Sequence, residues 1–202
     1  MKLGETLEQI ERTVEFCDED GRFIPAKLAE WIMEKFTFAT MMDNEETYVY
    51  LDGFYQPMGD ALIKKLVKEA LQDDYRKNRA LEVLDFVKAS TYTIRREEPP
   101  HLIPLENGVL YLSKDPFDLK PHNPEHMFFN KLPVKYYPEA DCPAIKKFMK
   151  EITNSEEDAT ILEEVVGFCL YRAYFIAKAL MLVGDGSNGK STFLNLVKAF
   201  LG

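Results

Sequence analysis

The feature that most constrains this chain is a glycine-rich segment, Gly184-Asp185-Gly186-Ser187-Asn188-Gly189-Lys190-Ser191-Thr192. Glycine, four variable residues, glycine, lysine and a hydroxyl residue make up the phosphate-loop pattern; Gly184, Gly189, Lys190 and Ser191 supply it. The glycines let the backbone turn tightly, so its N–H groups converge on an anion with no side chain intervening. A helix starting near Lys190 aims its free N–H groups at the same phosphates. In this pattern Lys190 reaches the β- and γ-phosphates and acts as the catalytic cation, while the Ser191 hydroxyl ligates Mg²⁺. Thr192 supports the phosphate end, and Asp185, Gly186, Ser187 and Asn188 complete the cradle. A nucleoside triphosphate with Mg²⁺ is the expected ligand.

The surroundings suit the motif. Leu180 to Val183 is a short apolar run before the loop, and Thr192 to Leu201 has helical periodicity. One strand, loop and helix cannot form a sheet core alone, so this portion is expected to pack on preceding helices. Phosphoryl transfer also needs a second, carboxylate-bearing strand and often an arginine from a neighbouring subunit. Both are expected beyond Gly202, so the chain alone is not expected to be a competent ATPase.

Composition narrows the class. The hydrophobic share is 46%, ordinary for a folded protein, and no run is long enough to span a bilayer. Met1 to Glu11 lacks the apolar core of a signal peptide. Cys17, Cys142 and Cys169 have no metal-ligand spacing and are too few for a disulfide framework. A reducing, cytoplasmic setting is expected. The formal net charge of −9 excludes a chain that is basic throughout, so any nucleic-acid contact must be local.

Along the chain, Phe23 to Phe38 is expected to be a helix with Pro25 near its start. Thr47–Leu51 and Phe54–Pro57 flank Asp52-Gly53 as a β-hairpin. Helices are expected from Asp60 to Leu71, with Leu62, Ile63, Leu66, Val67 and Ala70 on one face, and from Arg76 to Ala89, with Leu81, Leu84, Phe86 and Val87 inward. Helices beside a short hairpin suggest a winged-helix-like packing. A second hairpin is expected around Glu106-Asn107-Gly108, and residues 116–133 form an irregular, proline-rich connection. Pro143 opens a helix capped by Asp141, and Ser155 with Asp158 makes a capping-box start to the next, which extends as far as Phe175. The expected organisation is an α+β domain over residues 1–152, a helical collar or linker over 153–179, and the first strand-loop-helix of an α/β phosphate-loop domain over 180–202.

Other residues invite functional readings. Lys64, Lys65, Lys68, Arg76, Lys77 and Arg79 are candidates for phosphate contacts, but interleaved Glu69, Asp73 and Asp74 favour a solvated face. Arg95-Arg96 is offset by Glu97-Glu98 in the same way. Tyr48, Tyr50, Phe54 and Tyr55 are candidates for base stacking, although such residues more often fill a core. His101, His122 and His126 lack the spacing of a metal site.

The loop, with Phe193-Leu194 after it, resembles the Walker A region of superfamily 3 helicases, above all the phage and plasmid primase–helicase group and its poxvirus counterpart. Asn188 before Gly189-Lys190-Ser191 is the most characteristic feature. Upstream, Asn107-Gly108-Val109-Leu110-Tyr111-Leu112, Leu132-Pro133-Val134 through Tyr137-Pro138, Cys142-Pro143 with Phe148, and Gly167-Phe168 through Leu170 are similar to segments of that group. The matches cover about residues 102–202, and the helical region from Phe23 is similar to the domain preceding the helicase. The resemblance implies an ATP- and Mg²⁺-dependent helicase that assembles as a ring, a hexamer, and moves on single-stranded or forked DNA alongside other replication proteins. It implies work in the cytoplasm or in the replicating compartment of a host cell. Walker B acids, a polar sensor and an arginine finger are implied beyond Gly202; no primase metal site is evident within the chain. An adaptor that binds DNA or protein, and nucleotide without turnover, is the alternative.

Overall fold

The computed structural model describes residues 16–112 and 117–202. The expectation for Met1 to Glu11 lies outside those residues, as does Pro116. The chain divides into two compact units: residues 16–97 with 123–130, and residues 98–122 with 131–202.

The first unit is a mixed α+β domain. Its elements are α1 (Pro25–Lys35), β1 (Phe38–Met41), β2 (Thr47–Leu51), β3 (Phe54–Gln56), α2 (Gly59–Leu71), α3 (Lys77–Thr91) and β4 (Tyr92–Thr93), with a 3₁₀ turn at Gln72–Asp74. The strand order is β3-β2-β1-β4. The expected β2–β3 hairpin is present in register Leu51↔Phe54, with Asp52 and Gly53 both at positive φ, the geometry that two-residue turns favour. The sheet also contains two strands not anticipated. Antiparallel β1 precedes the hairpin, and β4 joins β1 in parallel after the crossover through α2 and α3.

Successive side chains along the strands point to opposite faces of the sheet, and both faces are covered. Phe38 and Val49 face a core built from Leu28 and Ile32 of α1, Ile63, Leu66 and Val67 of α2, and Val83 and Val87 of α3. Ala39, Met41, Tyr48 and Tyr55 face the other way and pack with Met127, with Tyr50 and Phe129 against them. On α3 the buried stripe is Ala80, Val83, Leu84 and Val87, whereas Leu81 is exposed. Leu81 lies one residue off the i, i+3, i+4, i+7 set, about 100° around the helix, and the small Ala80 takes the seam.

The second unit holds an antiparallel sheet, β5 (Leu102–Leu105), β6 (Gly108–Tyr111) and β7 (Asp118–Lys120), in that order, followed by α4 (Pro143–Ile152), α5 (Glu156–Leu170) and α6 (Lys190–Leu201). β7 falls inside the stretch expected to be irregular. Leu105 pairs with Gly108, so Glu106 and Asn107 form the turn and Gly108 begins the strand. Gly108 has φ +150°, and a Cβ there would lie 2.4 Å from the Lys120 carbonyl oxygen of β7, so only glycine fits. Asn107 instead clamps the chain at Tyr136, accepting from its N–H at 3.0 Å and donating to its carbonyl at 2.8 Å.

Cys142, not Asp141, is the N-cap residue of α4; Asp141 accepts from the Cys142 N–H and pairs with Lys146 at 2.5 Å. Pro143 at the first helical position moves the cap one residue forward from the expected one. The Ser155 cap on α5 is as expected, its hydroxyl accepting from the Asp158 N–H at 3.0 Å, but α5 stops at Leu170. Residues 171–189 carry no helix or ladder, and Leu180–Val183 have no paired strand among the described residues. No helix among the described residues is long and apolar enough to cross a membrane.

Candidate nucleotide-binding site

Within the second unit, α4, α5 and α6 enclose a small core of Met149, Ala159, Leu162 and Phe193, with Phe148, Ile152 and Leu182 packed against it. Phe193, on the first turn of α6, is buried and anchors the helix start beneath the glycine loop. Gly189 is the N-cap residue of α6 at φ +85° and ψ −5°, a left-handed conformation that a side chain would strain. Its position has a second requirement. A Cβ there would stand 2.4 Å from Ile152 Cγ2 and 3.5 Å from Phe148 Cε2, so the loop lies directly on the end of α4. Ser187 also has positive φ, at 60°.

Lys190 is folded back over this loop. Its Nζ donates to the Gly184 carbonyl at 2.8 Å, the Asp185 carbonyl at 3.0 Å and Asn188 Oδ1 at 2.6 Å. Three acceptors match the three donors of an ammonium group. The Asn188 amide lies over Gly184, where a Cβ would come within 2.1 Å of Nδ2. Ser191 and Thr192, in the first turn of α6, are exposed, as are Gly184 to Asn188. The nine residues singled out in the sequence therefore lie on one continuous loop and helix start, with the lysine gathered to its centre. Beside them is a cavity of about 260 Å³ lined by Ile152, Asn154, Asp158, Leu162, Leu182 and Lys190. Asn154, the contact of Ile152 with Gly189, and a place for Asp158 beyond the expected capping pair escaped the sequence reading, because nothing local to those residues signals a partner so far along the chain.

The other candidates resolve differently. Lys68 donates to the Gln72 carbonyl and lies over the Tyr75 ring, Arg76 donates to the Asp73 and Tyr75 carbonyls, and Arg79 donates to the Asp74 carbonyl. These cations satisfy the free carbonyls between α2 and α3, a local task that favours the solvated-face reading. Tyr48 and Tyr55 are buried, their hydroxyls donating to Glu46 at 2.7 Å and to the Pro124 carbonyl at 2.8 Å. They belong to the core behind the sheet, which removes them as stacking platforms. Arg95 lies over Phe129, 4.4 Å from its centroid, and pairs with Asp43 at 3.8 Å. The Tyr48 hydroxyl and neighbouring carboxylates hold its guanidinium pKa up. No group of three or more His, Cys, Asp or Glu side chains suited to a metal ion occurs among the described residues.

Comparison with known proteins accounts for most of the chain. No curated relative matches it. Residues 7–154, more than half of the chain, match the family described as D5 N terminal like, the N-terminal domain of phage and plasmid primase–helicase proteins. The matched span takes in the first unit, the three-stranded sheet and α4, and ends beside the residues on which the glycine loop rests. The chain belongs to the D5 N-terminal-like family.

Proposed function

We propose that this chain is the leading portion of an ATP-dependent replicative DNA helicase of superfamily 3, and that residues 184–192 bind ATP with Mg²⁺. The observation that carries the proposal is the loop itself: a phosphate-loop sequence entering a helix through a left-handed glycine, with Lys190 at its centre, just after a D5 N-terminal-like domain. In this reading the N–H groups at the start of α6 and the ammonium of Lys190 hold the β- and γ-phosphates. Lys190 exchanges its loop carbonyls for phosphate oxygens, a stronger, charge-assisted partner. Ser191, exposed on the first turn, would hold Mg²⁺. One protein oxygen suits a cation that keeps several waters and relies on substrate phosphates. When bound, Mg²⁺ neutralises charge on the β- and γ-phosphates. Ring assembly, passage along single-stranded or forked DNA, and association with other replication proteins belong to the same proposal. So does a place of action in the cytoplasm or a host's replicating compartment.

The second reading is an adaptor that holds nucleotide without turnover. It is favoured by Lys190, whose three bonds close on its own loop and make a structural staple. Calorimetry with Mg-ATP tests the binding step: wild type takes up nucleotide, and Lys190→Ala weakens it by about tenfold or more, the cost of a charged hydrogen bond. Hydrolysis by a form of the protein with further C-terminal sequence, in the presence of DNA, separates the two readings. Binding with no DNA-stimulated hydrolysis selects the adaptor. Equal affinity in wild type and Lys190→Ala rejects the role given to the lysine.

A further inference from the structure

The cavity beside the loop has a use that the phosphate-binding residues leave open. At about 260 Å³ it is slightly smaller than the roughly 300–1,000 Å³ that holds a whole drug-sized ligand. Its lining is mixed in character. Ile161, Leu162 and Leu182 make an apolar wall, Asn154 and Asp158 bring polar groups from the start of α5, and Lys190 and Asn188 mark the side that meets the loop. Asp158 has its backbone N–H capped by Ser155, while its carboxylate carries no ion pair among the described residues. Asn154 is exposed beside it. Apolar side chains, a carboxylate without an ion pair and an amide thus share one cavity with two residues of the glycine loop, the kinds of group that a base, a ribose and a phosphate chain require.

Resting on the nucleotide-binding reading above, we infer that this cavity takes the nucleoside end of the triphosphate. The base lies against Ile161, Leu162 and Leu182, Asp158 accepts from the ribose hydroxyls, and Asn154 meets the polar edge of the base. A carboxylate is the group suited to a ribose diol, because it accepts two donors at once. Asp158 is the specificity-determining residue of the site: it makes the protein prefer a ribonucleotide to a deoxyribonucleotide. The helix that leads toward the loop thereby also reads the ligand.

The test compares equilibrium binding of Mg²⁺ complexes of ATP, dATP and inorganic tripolyphosphate to the whole 202-residue chain. Wild type should bind ATP more tightly than dATP. Asp158→Ala should lose about tenfold in ATP affinity, the value of hydrogen bonds to a charged group, and bind ATP and dATP alike, with tripolyphosphate unchanged. Ile161→Glu, at a wall position already part exposed, gives an independent reading: ATP should weaken and tripolyphosphate should not. Lys190→Ala should weaken all three. If Asp158→Ala and Ile161→Glu keep wild-type affinity for ATP while Lys190→Ala loses it, the cavity is not the nucleoside site and the phosphate-loop reading stands. If wild type binds neither ATP nor tripolyphosphate, both readings fall.

Discussion

Gly189 shows how much a single residue carries. It must be glycine twice over, once for its φ of +85° and once because Ile152 occupies the space a Cβ would take. Ile152 is β-branched and has little rotameric freedom to withdraw. Gly189→Ala should therefore destabilise the α4–α6 cluster by about 1–3 kcal/mol, visible as a lower unfolding midpoint, and weaken ATP binding in parallel. An unchanged midpoint would show that the loop does not rest on α4. Tyr50 makes the opposite case. Its hydroxyl is buried without a hydrogen-bond partner, and burial first, then neighbouring Tyr55, pushes its pKa up to about 12 from 10.0. Above pH 10 the unfolded chain releases this proton while the folded one retains it, so stability falls as pH rises from 10 towards 12. Tyr50→Phe should flatten that fall in denaturant titrations. At neutral pH it should be neutral or stabilising by up to about 1 kcal/mol, since it removes an unsatisfied polar group. A steeper loss for the variant would contradict the assignment.

At the scale of elements, local chemistry was legible wherever a pattern is satisfied within a few residues. The Asp52-Gly53 turn, the Leu62/Ile63/Leu66/Val67 face and the Ser155 cap all emerged in place, because each concerns neighbours on one helix or across one turn. Ser155→Ala should cost about 1 kcal/mol in the stability of the second unit, measured by chemical denaturation. Elements defined by distant partners were not legible. β1 is four buried residues with no alternation, because both faces of the sheet are covered. β4 is only two residues long and exists because β1 accepts it in parallel. Asn107-Gly108 carries a turn signature, yet Asn107 is held by Tyr136 and Gly108 by the approach of Lys120. Asn107→Ala should destabilise by about 1–3 kcal/mol through the two backbone groups it leaves unpaired; a loss no larger than that of an exposed surface alanine variant would refute the clamp.

For the whole molecule, charge and its placement matter most. A net charge of −9 repels a phosphate backbone, and Lys68, Arg76 and Arg79 of the basic cluster are engaged at helix ends while Arg95 pairs with Asp43. The chain should bind single-stranded DNA weakly, with a log-affinity against log-salt slope shallower than about −2, equivalent to fewer than about three phosphate contacts. A steep slope would place a DNA-gripping surface within these residues. Met181 and Val183, 81% and 83% exposed, put apolar surface just before the glycine loop.

The sequence by itself determined the phosphate-loop pattern, the presence of the helices, the buried face of α2 and the kinship to primase–helicases, since each is written in residues close together along the chain. Tertiary structure alone decided which residues stand around that loop. Ile152 beneath Gly189, and Asn154 and Asp158 around the same cavity as Lys190, come together only when α4, α5 and α6 close on one core. Spacing along a chain constrains turns and faces. Which distant surfaces meet depends on how those faces bury one another, and no local pattern encodes that.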